Sequence, residues 1–146
     1  MLWSVTRAAV WLAALVFLRL APALADEFNF FSTPVLQADK ARIYIYREAS
    51  SFGARMRPPV MLNKEQVGYS VPGAVIFRDV LPGRWHVELG GDTPSSVDLD
   101  LTAGQTAYVR MRPDPSLFQH RIQLSVAKQK DAVAAMNELK LNTGGR

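Results

Sequence analysis

The 146-residue chain contains no cysteine. That single absence removes structural disulfides, thiol nucleophiles and thiolate metal sites, together with any lipid-modified cysteine. Histidine is almost as scarce. His86 and His120 are the only two, and two ligands without a third at useful spacing make a poor metal site. No metal, cofactor or catalytic constellation is therefore expected. Blocks of like charge are missing, and so is a Gly/Ser-rich linker, so the chain beyond its N-terminal segment reads as one domain.

Long apolar runs are also missing, with one exception. Residues 8–18 form an unbroken run of eleven, after a short segment carrying Arg7. A helix of that length rises only about 17 Å, against a hydrocarbon core of roughly 30 Å. Arg19 makes a spanning role worse, since a charge at the edge of the core must snorkel or lose its hydration. Pro22 is followed by Ala23-Leu24-Ala25, the small-x-small pattern of a signal-peptidase site, with Asp26 and Glu27 next. The expectation is a signal peptide over residues 1–25, cleaved after Ala25. The product would be periplasmic or secreted, with no transmembrane anchor. Cleavage would leave 121 of the 146 residues, enough for one cysteine-free core.

Charge argues against one class of partner. The whole chain has 17 basic and 13 acidic residues, but Arg7 and Arg19 belong to the expected signal, so the remainder carries 15 against 13. A surplus of two does not suit nucleic acid, which demands a concentrated basic face.

The rest of the sequence alternates. Residues 26–40 hold Phe28, Phe30 and Phe31 without a period and are broken by Pro34, which predicts an irregular arm. From Ala41, Ile43 and Ile45 alternate with Tyr44 and Tyr46, a strand with β-formers on both faces. After a Gly- and Pro-containing loop, Val60, Met61 and Leu62 form a short strand. Asn63 to Gln66 read as a four-residue turn, and residues 67–71 return as the hairpin partner. A strand over residues 74–80 ends at Leu81-Pro82-Gly83, the strongest turn in the chain. Trp85, Val87 and Leu89, then Val97, Leu99 and Leu101, then Ala107, Val109 and Met111 each alternate with polar residues. His120, Ile122, Leu124 and Val126 give a last strand. Asp131 is the expected N-cap of a short amphipathic helix with Ala132, Val133, Ala135, Met136 and Leu139 on its apolar side. Seven or eight strands with turns every eight to fifteen residues predict an all-β fold. The expectation is an antiparallel β-sandwich over residues 41–141 with a C-terminal helix and a frayed tail at 142–146.

The order of these segments carries a resemblance. Ala41-Arg42-Ile43-Tyr44-Ile45-Tyr46-Arg47 precedes Phe52-Gly53-Ala54, then Val60-Met61-Leu62-Asn63-Lys64 and Val67-Gly68. Leu81-Pro82-Gly83-Arg84-Trp85-His86-Val87, a run from Leu101 to Arg110, and a late Glu138-Leu139-Lys140 complete it. The chain resembles a bacterial family of small exported proteins and lipoproteins whose domain has no assigned function. It is similar to the carboxypeptidase-regulatory and PEGA-type β-sandwiches. The resemblance implies a fold and an envelope location and brings no catalytic residues. Many relatives carry a lipobox cysteine, absent here. The hairpin that often reads Asn-Gly-Lys is Asn63-Lys64-Glu65, which leaves its turn type open.

Several residue groups are candidates for chemistry. Gly68-Tyr69-Ser70-Val71-Pro72 nearly matches a nucleophile elbow, but Pro72 stands in place of the second glycine and no helix follows. Asp98 and Asp100 share a strand face, short of the six or more oxygens that calcium takes. A small envelope hydrolase or transferase would need two of Asp79, Glu88, Asp98 and Asp100 across a cleft. The more promising surface is Tyr44, Tyr46, Tyr108, Arg110 and Arg112. If their strands are neighbours, tyrosine stacking area and planar guanidinium groups share a face. That face would suit an envelope protein, a glycan or an anionic lipid head group. The function expected is a non-enzymatic envelope module that binds or scaffolds.

Overall fold

The computed structural model describes residues 33–91, 94–115, 121–137 and 139–141. The expected signal peptide, the three phenylalanines of the arm, His120 and the tail lie outside them. In chain order the elements are β1 (Ala41–Arg47), β2 (Pro59–Leu62), β3 (Glu65–Tyr69), β4 (Ala74–Val80) and β5 (Gly83–Leu89). They continue with β6 (Ser95–Leu101), β7 (Thr106–Pro113), β8 (Ile122–Val126), α1 (Gln129–Met136) and the two-residue β9 (Lys140–Leu141). The fold is mostly β, with one short C-terminal helix.

The strands form two sheets, β8-β7-β1-β4-β9 and β3-β2-β5-β6. Consecutive strands repeatedly change sheet, and the alternation seen in the sequence sets which side chains turn inward. Ile43, Ile45, Ile76 and Val109 from the five-stranded sheet join Val60, Val87, Leu89 and Leu99 from the other in one apolar cluster. Burying each of these side chains contributes about 1.5–3 kcal/mol. The charged partners Arg84, Asp98 and Asp100 point away from it and stay exposed.

The expectation of an antiparallel fold needs correction. The four-stranded sheet is antiparallel throughout. The five-stranded sheet is mixed, because β1 runs parallel to β7 and β4 parallel to β9. Alternation has the same period in both arrangements, so it is blind to strand direction. The turn after β6 docks on the chain entering β1: Gly104 N donates to Lys40 O at 2.7 Å and Arg42 N to Gln105 O at 2.9 Å. This places β7 beside β1 and sends the two chains the same way.

Three local expectations also shift. The β2–β3 turn is two residues, not four: Asn63 and Lys64 both have positive φ, 48° and 71°, the signature of a type I′ hairpin. The helix begins at Gln129 with Lys128 in the N-cap position, where no side chain caps it, and Asp131 lies within the first turn. An acid there still favours the helix dipole. Val126, expected on the apolar face of its strand, is exposed at the end of β8.

A second apolar cluster decides where a functional site can be. Every residue of β1 is buried, so both of its faces are covered. Its inward isoleucines meet the other sheet. Its outward tyrosines lie with Val75, Tyr108 and the Ala132, Met136 and Leu139 side chains of the C-terminal segment. Helix α1 thus crosses the outer face of the five-stranded sheet, and β9 attaches behind it to the start of β4.

Candidate functional site

The parallel pairing of β1 and β7 sets Tyr44 opposite Tyr108 and Tyr46 opposite Arg110. The two strands are neighbours, as the Tyr–Arg surface requires, but its members have different fates. Tyr44 and Tyr108 stack with ring centroids 5.6 Å apart and an interplanar angle of 8°. Phe77 of β4 tilts against Tyr44 at 6.1 Å. Tyr46 is 1% exposed beneath α1, and Tyr44 and Tyr108 are 7% and 4% exposed. Burial pushes the Tyr46 and Tyr108 phenols above their ordinary value, because the phenolate loses its hydration. The tyrosines therefore form a second core before they form a surface. Arg110 is half-buried and Arg112 exposed, at the far end of the same strand.

Four of the five residues thus divide between two cavities at opposite ends of the parallel pair, and Tyr46 lines neither. The larger, about 620 Å³, lies where β1 and β7 begin. Tyr44 and Tyr108 line it, with Gln105 and Thr106 from the turn, Gln129 from the helix start and the stretch Thr33 to Leu36. The arm is held there by Arg42, whose Nη2 donates to Pro34 O at 2.7 Å. Arg42 is itself buried and forms a two-pronged pair with Asp79, Nε to Oδ1 at 2.5 Å and Nη2 to Oδ2 at 2.8 Å. Its register partner across β1 and β4 is that same Asp79. The hydrogen bond to Asp79 raises the guanidinium pKa, while burial opposes it. Its carbon Cζ also lies 6.0 Å from the Tyr44 centroid and 5.3 Å from that of Phe77. The charge in this cleft is thus already neutralised, and what remains to meet a ligand is amide, hydroxyl and aromatic.

The smaller cavity, about 260 Å³, lies where β1 and β7 end. Arg110 and Arg112 line it with Glu48, Ser50, Phe52 and Pro113. Arg110 Nη2 pairs with Glu48 Oε1 at 2.7 Å. Beside it, Arg47 is 0% exposed and has no carboxylate partner among the described residues. Its Nη1 donates to Met56 O at 2.7 Å, Ser70 O at 3.0 Å and Ser70 Oγ at 3.3 Å, and its Nη2 to Gly53 O at 2.7 Å. Its Nε finds no acceptor among the described residues. Burial lowers its pKa, with the nearby Arg57 charge adding to the effect.

A family match covers both ends. Residues 37–121 align with DUF2846, described as a protein of unknown function. The chain belongs to the DUF2846 family. The matched stretch contains β1 through β7, and so Tyr44, Tyr46, Tyr108, Arg110 and Arg112, whereas Thr33 to Leu36 and α1 fall outside it. No curated protein and no solved structure matches the chain.

The other candidates of this DUF2846 domain occupy the open face of the four-stranded sheet or serve the core. His86 faces Asp98 across β5 and β6, Nδ1 to Oδ1 at 2.8 Å, with Glu88 Oε2 at 3.5 Å from its Nε2. Asp100 sits 3.4 Å from Arg84, both largely exposed. Asp79 is taken by Arg42. None of these carboxylates lines either cavity. Among the described residues, no group of three or more His, Asp or Glu could hold a metal ion. Ser70 is fully buried as an acceptor for Arg47, not an exposed serine.

Sequence reasoning passed over Arg42, Arg47 and Arg78. The first two bracket an otherwise apolar strand, ARIYIYR, and a charge inside a buried strand must find partners. That was the available signal. Arg78 shows the same logic at the sheet edges: its Nη2 donates to Val67 O of β3 and its Nη1 to Phe77 O of β4, both at 2.8 Å.

Proposed function

We propose that this DUF2846 protein is an exported, non-enzymatic binding module of the cell envelope. Its two sheets would form a β-sandwich of the carboxypeptidase-regulatory and PEGA type, and its ligand would enter the cleft over Tyr44 and Tyr108. The observation that carries the reading is the chemistry of that cleft. A volume of about 620 Å³ lies within the usual range for small-ligand sites. Its one strong charge, Arg42, is committed to Asp79 and Pro34 O. Gln105, Thr106 and Gln129 offer neutral donors and acceptors around an aromatic floor. That combination suits a neutral, hydroxyl-bearing ligand such as an envelope glycan better than an anion. Export is supported by the three-part pattern of residues 1–25, ending in Ala23-Leu24-Ala25.

Two measurements test it. Mass spectrometry of the mature chain is expected to find Asp26 at the N-terminus. Amide chemical shifts titrated with N-acetylglucosamine-containing disaccharides are expected to move at Val35, Gln105, Thr106 and Gln129, and not at β5 or β6. Tyr108→Ala, which removes half the stack, is expected to abolish those shifts. Turnover of the sugar, or shifts confined to the His86–Asp98 face, would overturn the reading in favour of the carboxylate-bearing sheet.

A further inference from the structure

The arginine-rich end of the molecule makes a second surface, independent of the tyrosine cleft. Residues 47–57 carry Arg47, Arg55 and Arg57 against one acid, Glu48, and the end of β7 adds Arg110 and Arg112. The two segments are in contact. Phe52, Arg110 and Arg112 line one cavity, and a Cβ placed on Gly53 would stand 3.2 Å from the Cβ of Pro113. Glu48 is consumed by Arg110. Asp114, next along the chain, is bound to Arg121 Nε at 2.9 Å. Arg55, Arg57 and Arg112 are exposed, and Arg47 adds a charge with no carboxylate partner among the described residues. A charge in a dry site is screened less than one in water, so Arg47 contributes to the field without touching solvent.

One exposed apolar group lies within this arginine-bearing segment. Phe52 is 43% exposed. The turn is rigid. Ala54 N donates to Ser51 O at 3.3 Å and Met56 N to Gly53 O at 3.0 Å, Phe52 N donates to Ser50 Oγ at 3.1 Å, and Arg47 holds the Gly53 and Met56 carbonyls from below. Presenting the ring costs no further ordering of the backbone on binding. An exposed aromatic residue on a hydrogen-bonded turn, with Arg112 lining the same cavity and Arg55 and Arg57 exposed within five positions of it, matches the boundary of an anionic bilayer. The ring enters the headgroup region and the guanidinium groups meet lipid phosphates. A soluble acidic protein would satisfy the charge, but a stable protein interface also needs a broad apolar core, and here a single exposed ring accompanies the arginines.

We propose that Phe52, Arg55, Arg57 and Arg112 form a docking surface for an anionic membrane, with the ring inserting and the arginines pairing with phosphate headgroups. The test is sedimentation of the processed chain with vesicles of phosphatidylcholine alone or mixed with phosphatidylglycerol. Binding is expected only to the mixed vesicles, and to weaken as salt rises. Each of Arg55→Gln, Arg57→Gln and Arg112→Gln is expected to lower the partition coefficient about fivefold. Phe52→Ser is expected to lower it about threefold to tenfold. These side chains are exposed, so the thermal midpoint should be unchanged. The triple lysine variant at the three arginine positions should keep most of the binding. Failure of the wild type to bind mixed vesicles at low salt would overturn the proposal. So would full binding by the triple glutamine variant, or loss of vesicle binding to soluble glycerol phosphate at matched phosphate concentration.

Discussion

Replacing Arg47 with methionine poses the sharpest question about this fold, because two physical arguments predict opposite signs. A guanidinium with no counter-ion inside a protein is costly, and replacing buried charges by apolar groups often stabilises. Arg47 is 0% exposed, and its Nε lacks an acceptor among the described residues. Against this stand the carbonyls it serves. Gly53 O also accepts from Met56 N, but Arg47 supplies the hydrogen bonds of Met56 O at 2.7 Å and Ser70 O at 3.0 Å. Each buried acceptor left alone costs about 1–3 kcal/mol. Relief of the desolvated charge offsets part of that, so the net loss expected for Arg47→Met is about 3 kcal/mol. For a domain of this size that corresponds to a fall of roughly 10–20 °C in thermal midpoint. Urea denaturation is the assay, with a lower midpoint at an unchanged slope. Hydrogen exchange should quicken at Ala54 and Met56, the two amides that close the loop. A variant at least as stable as the wild type would show that the loop holds itself and that the arginine is a tolerated charge.

Gly53→Ala tests the same loop from the other side. Its φ of +68° disfavours a side chain, and the new Cβ would meet Pro113 Cβ at 3.2 Å, so a loss of about 2 kcal/mol in urea denaturation is expected. Lys64→Gly should instead stabilise by roughly 0.5–1 kcal/mol, since Lys64 sits at φ 71° in a turn that favours glycine there. Alkaline titration followed by phenolate absorbance should show Tyr46 and Tyr108 ionising above 10.0, the unperturbed value, and Tyr108→Phe should remove one such step. Because the folded state raises these pKa values, their contribution to stability is fully present below about pH 10. It is lost as pH climbs through the folded values. A denaturation midpoint that stays level from neutral pH to beyond that range would contradict the burial of both rings.

What the sequence made legible was everything governed by a period of two. The inward faces of β5, β6 and β7 could be named residue by residue, because Val87, Leu99 and Val109 alternate with charged or polar neighbours. Strand direction was invisible, since a side chain's face does not depend on which way its neighbour runs. The Asn63-Lys64 turn was misread because lysine at positive φ is uncommon, and the hairpin supplies what the residue itself resists. The tyrosine–arginine surface was half legible. The residues do share a face, but its cover comes from α1, which pairs in space with strands more than 20 positions earlier in the chain. The carbonyl ligands of Arg47 left no trace in the sequence at all, because main-chain acceptors are the same for every residue type.

The cover over β1 bears on how this chain completes the stretch that matches the family. The stretch that matches DUF2846 ends at residue 121, and within it β1 and β7 send Tyr44, Tyr46 and Tyr108 outward from the main core. Left open, these rings would present one contiguous aromatic face, since Tyr44 already stacks on Tyr108 and tilts against Phe77. Soluble monomers rarely expose such a face. In this chain the requirement is met from outside the match, by Ala132, Met136 and Leu139. The cover is incomplete where β1 and β7 begin, and the cleft lined by Thr33 to Leu36 is the gap that remains. The matched strands thus build the floor of the cleft, and the segments flanking them decide how much of that floor stays open.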